Sequence, residues 1–168
     1  ARPLPVWRFA GDGLALRRTV ALQRVTDTAP PLLLLEWRNE GAAPLRLSVR
    51  LLLGLHDADH LPPGDHYLDA AITVRGAAWG LRPRPAGPEL WLSVDGLAAF
   101  RSEPCWYRGF LYADDRDRGY DHLGDRWSPG IPELDLPPAG AAVLARSLGV
   151  PWGDPAGALA AAAHPAPA

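Results

Sequence analysis

Residues 105–130 gather most of the side chains in this sequence that could do chemistry. Arg108, Arg116, Arg118 and Arg126 are interleaved with Asp114, Asp115, Asp117, Asp121 and Asp125. Trp106, Tyr107, Phe110, Tyr112, Tyr120 and Trp127 stand among them. Charge that dense beside large aromatic faces is costly unless guanidinium and carboxylate pair, or unless the surface meets a polar partner. Clustered carboxylates invite a glycosidase reading, since hydrolysis needs an acid and a base or nucleophile facing each other across one bond. Sequence spacing sets no such separation, however, and the arginines nearly balance the acids. An Arg–Asp network that locks a long loop is the favoured reading.

A second group, His56-Asp57-Ala58-Asp59-His60 with Asp65-His66 beyond, has the residue types of a metal site. His-x-x-x-His aligns two ligands only on a helix, whereas Gly54 and Pro62-Pro63-Gly64 point to a loop. A polar loop ending a strand is therefore expected, and no metal or other cofactor. The lone cysteine, Cys105, excludes an internal disulfide, and no histidine close in sequence would activate it as a nucleophile. Nucleotide-binding, acyl-transfer and redox motifs are absent from the sequence.

Tryptophan could mark carbohydrate, because indole faces stack on sugar C–H faces. Trp7, Trp37, Trp79 and Trp91 lie in strand-like contexts and are expected to fill a core. Trp106 and Trp127, inside the charged phrase, are the better candidates for a ligand or partner surface.

The elements that must position these groups are short. Nineteen prolines and seventeen glycines in 168 residues argue for strands joined by turns rather than long helices. Leu45, Leu47, Val49 and Leu51 alternate with Arg46, Ser48 and Arg50, a period of two that separates a core face from a wet one. Leu32–Arg38 reads as a more buried strand, and Asn39-Glu40-Gly41 as the turn that pairs the two as a hairpin. Further strands are predicted at Leu14–Gln23, Ala71–Arg75, Leu90–Val94, Trp106–Tyr112 and Val143–Leu148. The fold class is all-β, a large antiparallel sandwich over residues 1–150. In residues 151–168, Asp154-Pro155 starts a short helix with almost no apolar face of its own, expected to lead as a linker toward an absent domain.

A hydrophobic share of 48% supports a folded core, and a net charge of −2 gives no footprint for nucleic acid. The leucine run Leu32–Leu35 is too short to cross a bilayer, so no membrane partner is expected and a cytoplasmic location is the default. All basic residues are arginine, which fits coding bias. The chain opens at Ala1-Arg2-Pro3 without an initiator methionine and is read as a piece of something longer or a processed product.

The charged phrase resembles a motif of the N-terminal β-domain of bacterial and archaeal glycogen debranching enzymes. There a Trp-Tyr-x-x-Phe-x-Tyr run precedes an acid, an Arg-Gly-x-Asp, an acidic pair and a closing Pro-Gly. Here these are Trp106 to Tyr112, Asp115, Arg118-Gly119-Tyr120-Asp121, Asp125 and Pro129-Gly130. Pro5–Phe9 with the Gly11-Asp12-Gly13 turn, Leu14–Leu22, Leu45–Leu53 and Val143–Leu148 are similar to further family strands, in the family's order. Asp115 stands where the family usually has glutamate, and Gly124 replaces the first acid of the pair. The His56 loop matches the family's Arg-Asp-x-His phrase in part.

The resemblance implies a supersandwich like the N-terminal domain of bacterial glucoamylases. In the family it packs on an (α/α)6 barrel that cleaves the α-1,6 branch point, and the hydrolytic acids belong to that barrel. The partners implied are the barrel of the same polypeptide and an α-glucan such as glycogen. Catalysis by this chain alone is not expected. Tyr112, Asp115, Arg118, Asp121 and Asp125 are expected to form an interdomain or cleft-edge network, with Trp106 and Trp127 as apolar contacts. The alternative is a stand-alone carbohydrate-binding or adaptor β-domain.

Overall fold

Strand pairing starts from a turn that only certain residues can make. β1 (Val6–Gly11) and β2 (Leu14–Gln23) join through Asp12 and Gly13, whose φ angles are 48° and 82°. Two consecutive left-handed residues give the twist that a tight hairpin needs, and Asp-Gly adopts it at low cost. The computed structural model describes residues 3–24, 31–54, 61, 64 and 68–163.

β3 (Leu32–Asn39) pairs with β2 and β10 (Ala141–Leu148) pairs with β3. β7 (Leu90–Asp95), β6 (Ala78–Leu81) and β5 (Ile72–Arg75) complete a seven-stranded antiparallel sheet in the order β1-β2-β3-β10-β7-β6-β5. A three-stranded sheet, β4-β9-β8, comprises β4 (Leu45–Ser48), β9 (Leu123–Leu136) and β8 (Leu97–Leu111). The all-β sandwich expectation holds.

The hairpin expected between β3 and β4 does not form, because the two strands lie in different sheets. Asn39 gives the reason. It is 2% exposed, and its side-chain amide donates to the carbonyls of Ala43 (2.7 Å), Leu136 (3.1 Å) and Pro137 (3.2 Å). Its side-chain oxygen accepts from Gly41 N–H at 2.9 Å. These bonds carry the chain from one sheet to the other, where β4 pairs with β9. Two strands also went unread: β6, which is only four residues long, and β9, which contains Pro129 and Pro132.

Period-two alternation gives each sheet an inner face. Trp37, Trp79, Leu92 and Leu144 of the larger sheet share one core with Trp127, Leu134 and Leu136 of β9. Leu134 is completely buried, and Phe100 packs tilted against Trp79 with ring centroids 5.3 Å apart. Trp91 is fully buried on the opposite face, over Gly80, where an added Cβ would lie 2.8 Å from the indole. Trp37, Trp79 and Trp91 are thus core, as expected, but Trp7 is 42% exposed. It sits on edge strand β1, where the guanidinium of Arg18 covers its ring at 4.4 Å.

The outer face of the larger sheet carries a second cluster, Leu32, Leu34, Val143 and Ala145, closed by Ala158 of α2 (Pro155–Ala163). Asp154 caps this helix, its Oδ1 accepting from Gly157 N–H at 2.8 Å. The sequence reading gave the helix almost no apolar face. Alanine and leucine suffice because the sheet beneath supplies the larger side chains, and Leu159 and Ala162 pack against the same cluster.

Leu134→Ala should leave a cavity between the sheets and lower unfolding free energy by about 2–5 kcal/mol. A denaturant titration followed by tryptophan fluorescence reads this directly, and a change under ~1 kcal/mol would contradict the tight intersheet packing.

Candidate functional site

β8 and β9 form a long hairpin whose pairing is broken twice in the same way. Between the pairs Ser102↔Gly130 and Cys105↔Ser128, Glu103 and Pro104 oppose Pro129 alone. Proline has no N–H to give to a ladder, so a bulge is where it is tolerated. Between Tyr107↔Arg126 and Phe110↔Gly124, Arg108 and Gly109 oppose Asp125 alone. Gly109 has φ 72°, a left-handed conformation in which a side chain would be strained. Such a bulge re-aims the groups beside it.

What it aims at is the Asp125 carboxylate. Oδ1 accepts from Gly109 N–H at 2.9 Å, and Oδ2 accepts from Gly64 N–H at 2.8 Å and from Arg108 Nη1 at 3.1 Å. The Asp125 side chain is only 13% exposed. The Gly64 bond, then the Gly109 bond, then the Arg108 charge hold its carboxyl below the usual aspartate range against the cost of desolvation. A carboxylate held ionised in this way is a poor proton donor near neutrality, so Asp125 anchors the hairpin and is not suited to general-acid work.

Trp106 completes this anchor. Its indole is half-buried against the core and lies under Gly64, where a Cβ would come within 2.7 Å. The Arg108 guanidinium stands 5.8 Å from its ring centroid. In the segment that follows β4, Arg50 bonds Glu103 and reaches Cys105 Sγ at 3.4 Å, with its guanidinium 5.6 Å from the Tyr107 ring. Glu103 is lowered from its ordinary value chiefly by that bond to Arg50. Cys105 is a free, half-buried thiol.

Beyond the anchor the hairpin ends in a cap. Tyr112 N–H donates to the His122 carbonyl at 2.8 Å, and α1 (Ala113–Asp117) starts at once. Asp114 and Asp115 sit in its first turn, the favourable end for acids. The Asp115 carbonyl then accepts from Tyr120 N–H at 2.9 Å, and Gly119 turns the chain back with φ 79°. Arg126 stacks over Tyr112 at 5.1 Å.

The sequence-predicted residues therefore divide. Trp106 and Asp125 meet at the base, through Arg108 and Gly64. Tyr112 packs with Arg126 at the neck. Asp115, Arg118 and Asp121 belong to the cap, with Arg118 and Asp121 exposed and no ion pair recorded between them. Trp127, expected on a ligand or partner surface, is instead 3% exposed and part of the intersheet core.

Sequence reasoning missed three members: Leu111 (55% exposed), Tyr120 (66%) and Leu123 (59%). Leu111 and Leu123 pair across the strands, placing apolar surface beside the acids. The signal was available, since one leucine stands just before the charged run and the other just after it.

Among the described residues, no group of three or more His, Cys, Asp or Glu could hold a metal. The segment His56–His60 and residues Asp65 and His66 lie outside the described residues. No described helix is long and apolar enough to cross a membrane.

A family model described as glycogen debranching enzyme N terminal matches residues 1–143. The chain belongs to that family. The match covers β1 to β9 and the start of β10, including the whole bulged hairpin of this debranching-enzyme domain. No curated protein and no solved structure matches the chain.

The Asp125 anchor predicts a pH dependence. With a native pKa below the unfolded value of about 3.9, its stabilisation is complete above that value and is lost as pH falls through the lower native one. Asp125→Asn should therefore melt below wild type at pH 7, and the two curves should converge in strong acid. A melting gap that stays constant with pH would remove the carboxylate's charge from the explanation.

Proposed function

We propose that this chain is the non-catalytic N-terminal domain of a glycogen-debranching glycoside hydrolase, bracing its catalytic (α/α)6 domain and forming part of the α-glucan cleft. The observation that carries this reading is the contrast within one hairpin. Its base is locked by the Asp125 bonds, while its cap presents Leu111, Tyr120 and Leu123 beside Asp121 and Arg118. Exposed apolar side chains ringed by charge are the surface of a partner contact. Membership of the glycogen debranching enzyme N terminal family supports this reading, in which the partner is a catalytic domain of the same polypeptide and the substrate glycogen or maltodextrin. The hydrolytic acids are assigned to that domain, and Asp125, whose oxygens are taken up by Gly64, Gly109 and Arg108, serves the hairpin as an anchor.

Two measurements test the proposal. The purified chain should release no glucose from a branched limit dextrin, and hydrolysis above a heat-killed control would refute the non-catalytic assignment. Arg118→Ala, at an exposed position with no ion pair among the described residues, should change the stability of this chain by roughly 0–1 kcal/mol. In the full-length enzyme the same substitution should impair glucan turnover or domain docking. Unchanged turnover and docking there would retire the interface role of the cap.

A further inference from the structure

The outer face of the larger sheet holds a groove that the hairpin site does not use. α2 covers only part of that face and leaves an open hollow of about 710 Å³ along its flank, within the ~300–1,000 Å³ typical of small-ligand sites. Its floor is polar and ordered. Glu36, 7% exposed, receives Arg17 Nη2 at 3.2 Å and Thr19 Oγ1 at 3.1 Å on one oxygen, and Arg38 Nη2 at 3.0 Å on the other. Its wall is apolar, formed by Val6, Val143, Leu159 and Ala160.

The floor has donors to spare. Arg17 Nε is buried and faces the Glu40 carboxylate at 3.6 Å, so the donors open to the groove are those of Arg38, whose side chain is 39% exposed. Arg38 has one further bond, to the Ala139 carbonyl at 3.3 Å. Each guanidinium carries five N–H groups, so a ligand rich in acceptor oxygens would be met. Asp95 on the lining can accept from hydroxyls. A charged ligand fits poorly, because Arg17 and Arg38 are balanced by Glu36 and Asp95 and an anion would enter beside a buried carboxylate. A neutral polyol uses both halves, with oxygens on the floor and a C–H face on the wall.

We propose that this groove is a second saccharide site, which takes a short α-1,4-glucan segment at a place separate from the hairpin cap. It would hold the branched polymer while the cleft works on another part of it. The proposal rests on the α-glucan reading above and adds the place of contact. Glu36 and Thr19 lie in β3 and β2 of the seven-stranded sheet, whereas the cap joins β8 and β9 of the other sheet.

The test is titration of this chain with maltopentaose, followed by amide chemical shifts, with inorganic phosphate as the charged comparison. Ala160→Glu alters an exposed wall position and projects a side chain into the groove, and Arg38→Ala removes floor donors. Arg38→Ala should weaken maltopentaose binding about tenfold, the loss expected for a charge-assisted hydrogen bond, and Ala160→Glu should weaken it by filling the groove. Val74→Ser, exposed on edge strand β5 away from both groove and cap, should leave it unchanged. Wild-type affinity in both groove variants with loss in Tyr120→Ala, in the cap, would overturn the groove and keep the glucan reading. Shifts with phosphate and none with maltopentaose would overturn the saccharide assignment, while docking of the cap in the full-length enzyme stays a separate measurement.

Discussion

The structure depends on one strand that has to serve two masters. β9 is the centre of the three-stranded sheet, pairing with β4 on one side and β8 on the other, and it also supplies Trp127, Leu134 and Leu136 to the intersheet core. Burying each such side chain is worth ~1.5–3 kcal/mol, so the sandwich cannot close without this strand. Yet β9 carries Pro129 and Pro132, both fully buried, in positions where a central strand would ordinarily be disqualified. The chain resolves the conflict geometrically. Pro129 lies opposite the first bulge of β8, and Pro132 lies where β4 has ended, its carbonyl still accepting from Val49 N–H at 2.9 Å.

The same device sets the position of the site. A bulge shifts the strand by one residue and increases its twist. After the second bulge, Gly109 N–H faces inward to Asp125 instead of outward to solvent. The carboxylate then draws in Gly64 from another segment, and Gly64 leaves room for the Trp106 ring. Three glycine-dependent steps are linked here: a left-handed φ at Gly109, a close approach at Gly64 and the returning turn at Gly119. Replacing any one by a larger residue would move the cap without touching its charged side chains.

Much of the fold was legible in the sequence, and what was not shares a physical cause. β2 was read to the residue, and β3, β5, β7 and β10 nearly so, because their aliphatics alternate or run unbroken between turn residues. The Asp154 cap was legible for the same local reason. β9 was not, since Pro129-Gly130 and Pro132 signal a turn rather than a strand. The exchange of chain between sheets at Asn39 was not either, because the side-chain bonds that enforce it reach residues about a hundred positions away. At the site, the residue types were visible but their partners were not. Asp125 was grouped with Arg118 and Asp121 by proximity in sequence, whereas its donors come from Gly64, Arg108 and Gly109.

That regrouping changes what the charge is for. An arginine–aspartate run on an exposed cap stabilises a fold little, since surface pairs are worth ~0–1 kcal/mol and are screened by salt. The pair Arg116–Asp117 lies between neighbours and fixes no tertiary contact. The Arg108–Asp125 pair differs, because its acid is largely shielded from water and receives backbone donors as well. Stability is thus concentrated at the base of the hairpin. The cap is left with Arg118, Asp121, Tyr120 and two leucines whose positions are fixed by the backbone rather than by each other. A surface arranged this way costs little to desolvate against a partner, because few of its own ion pairs must break first.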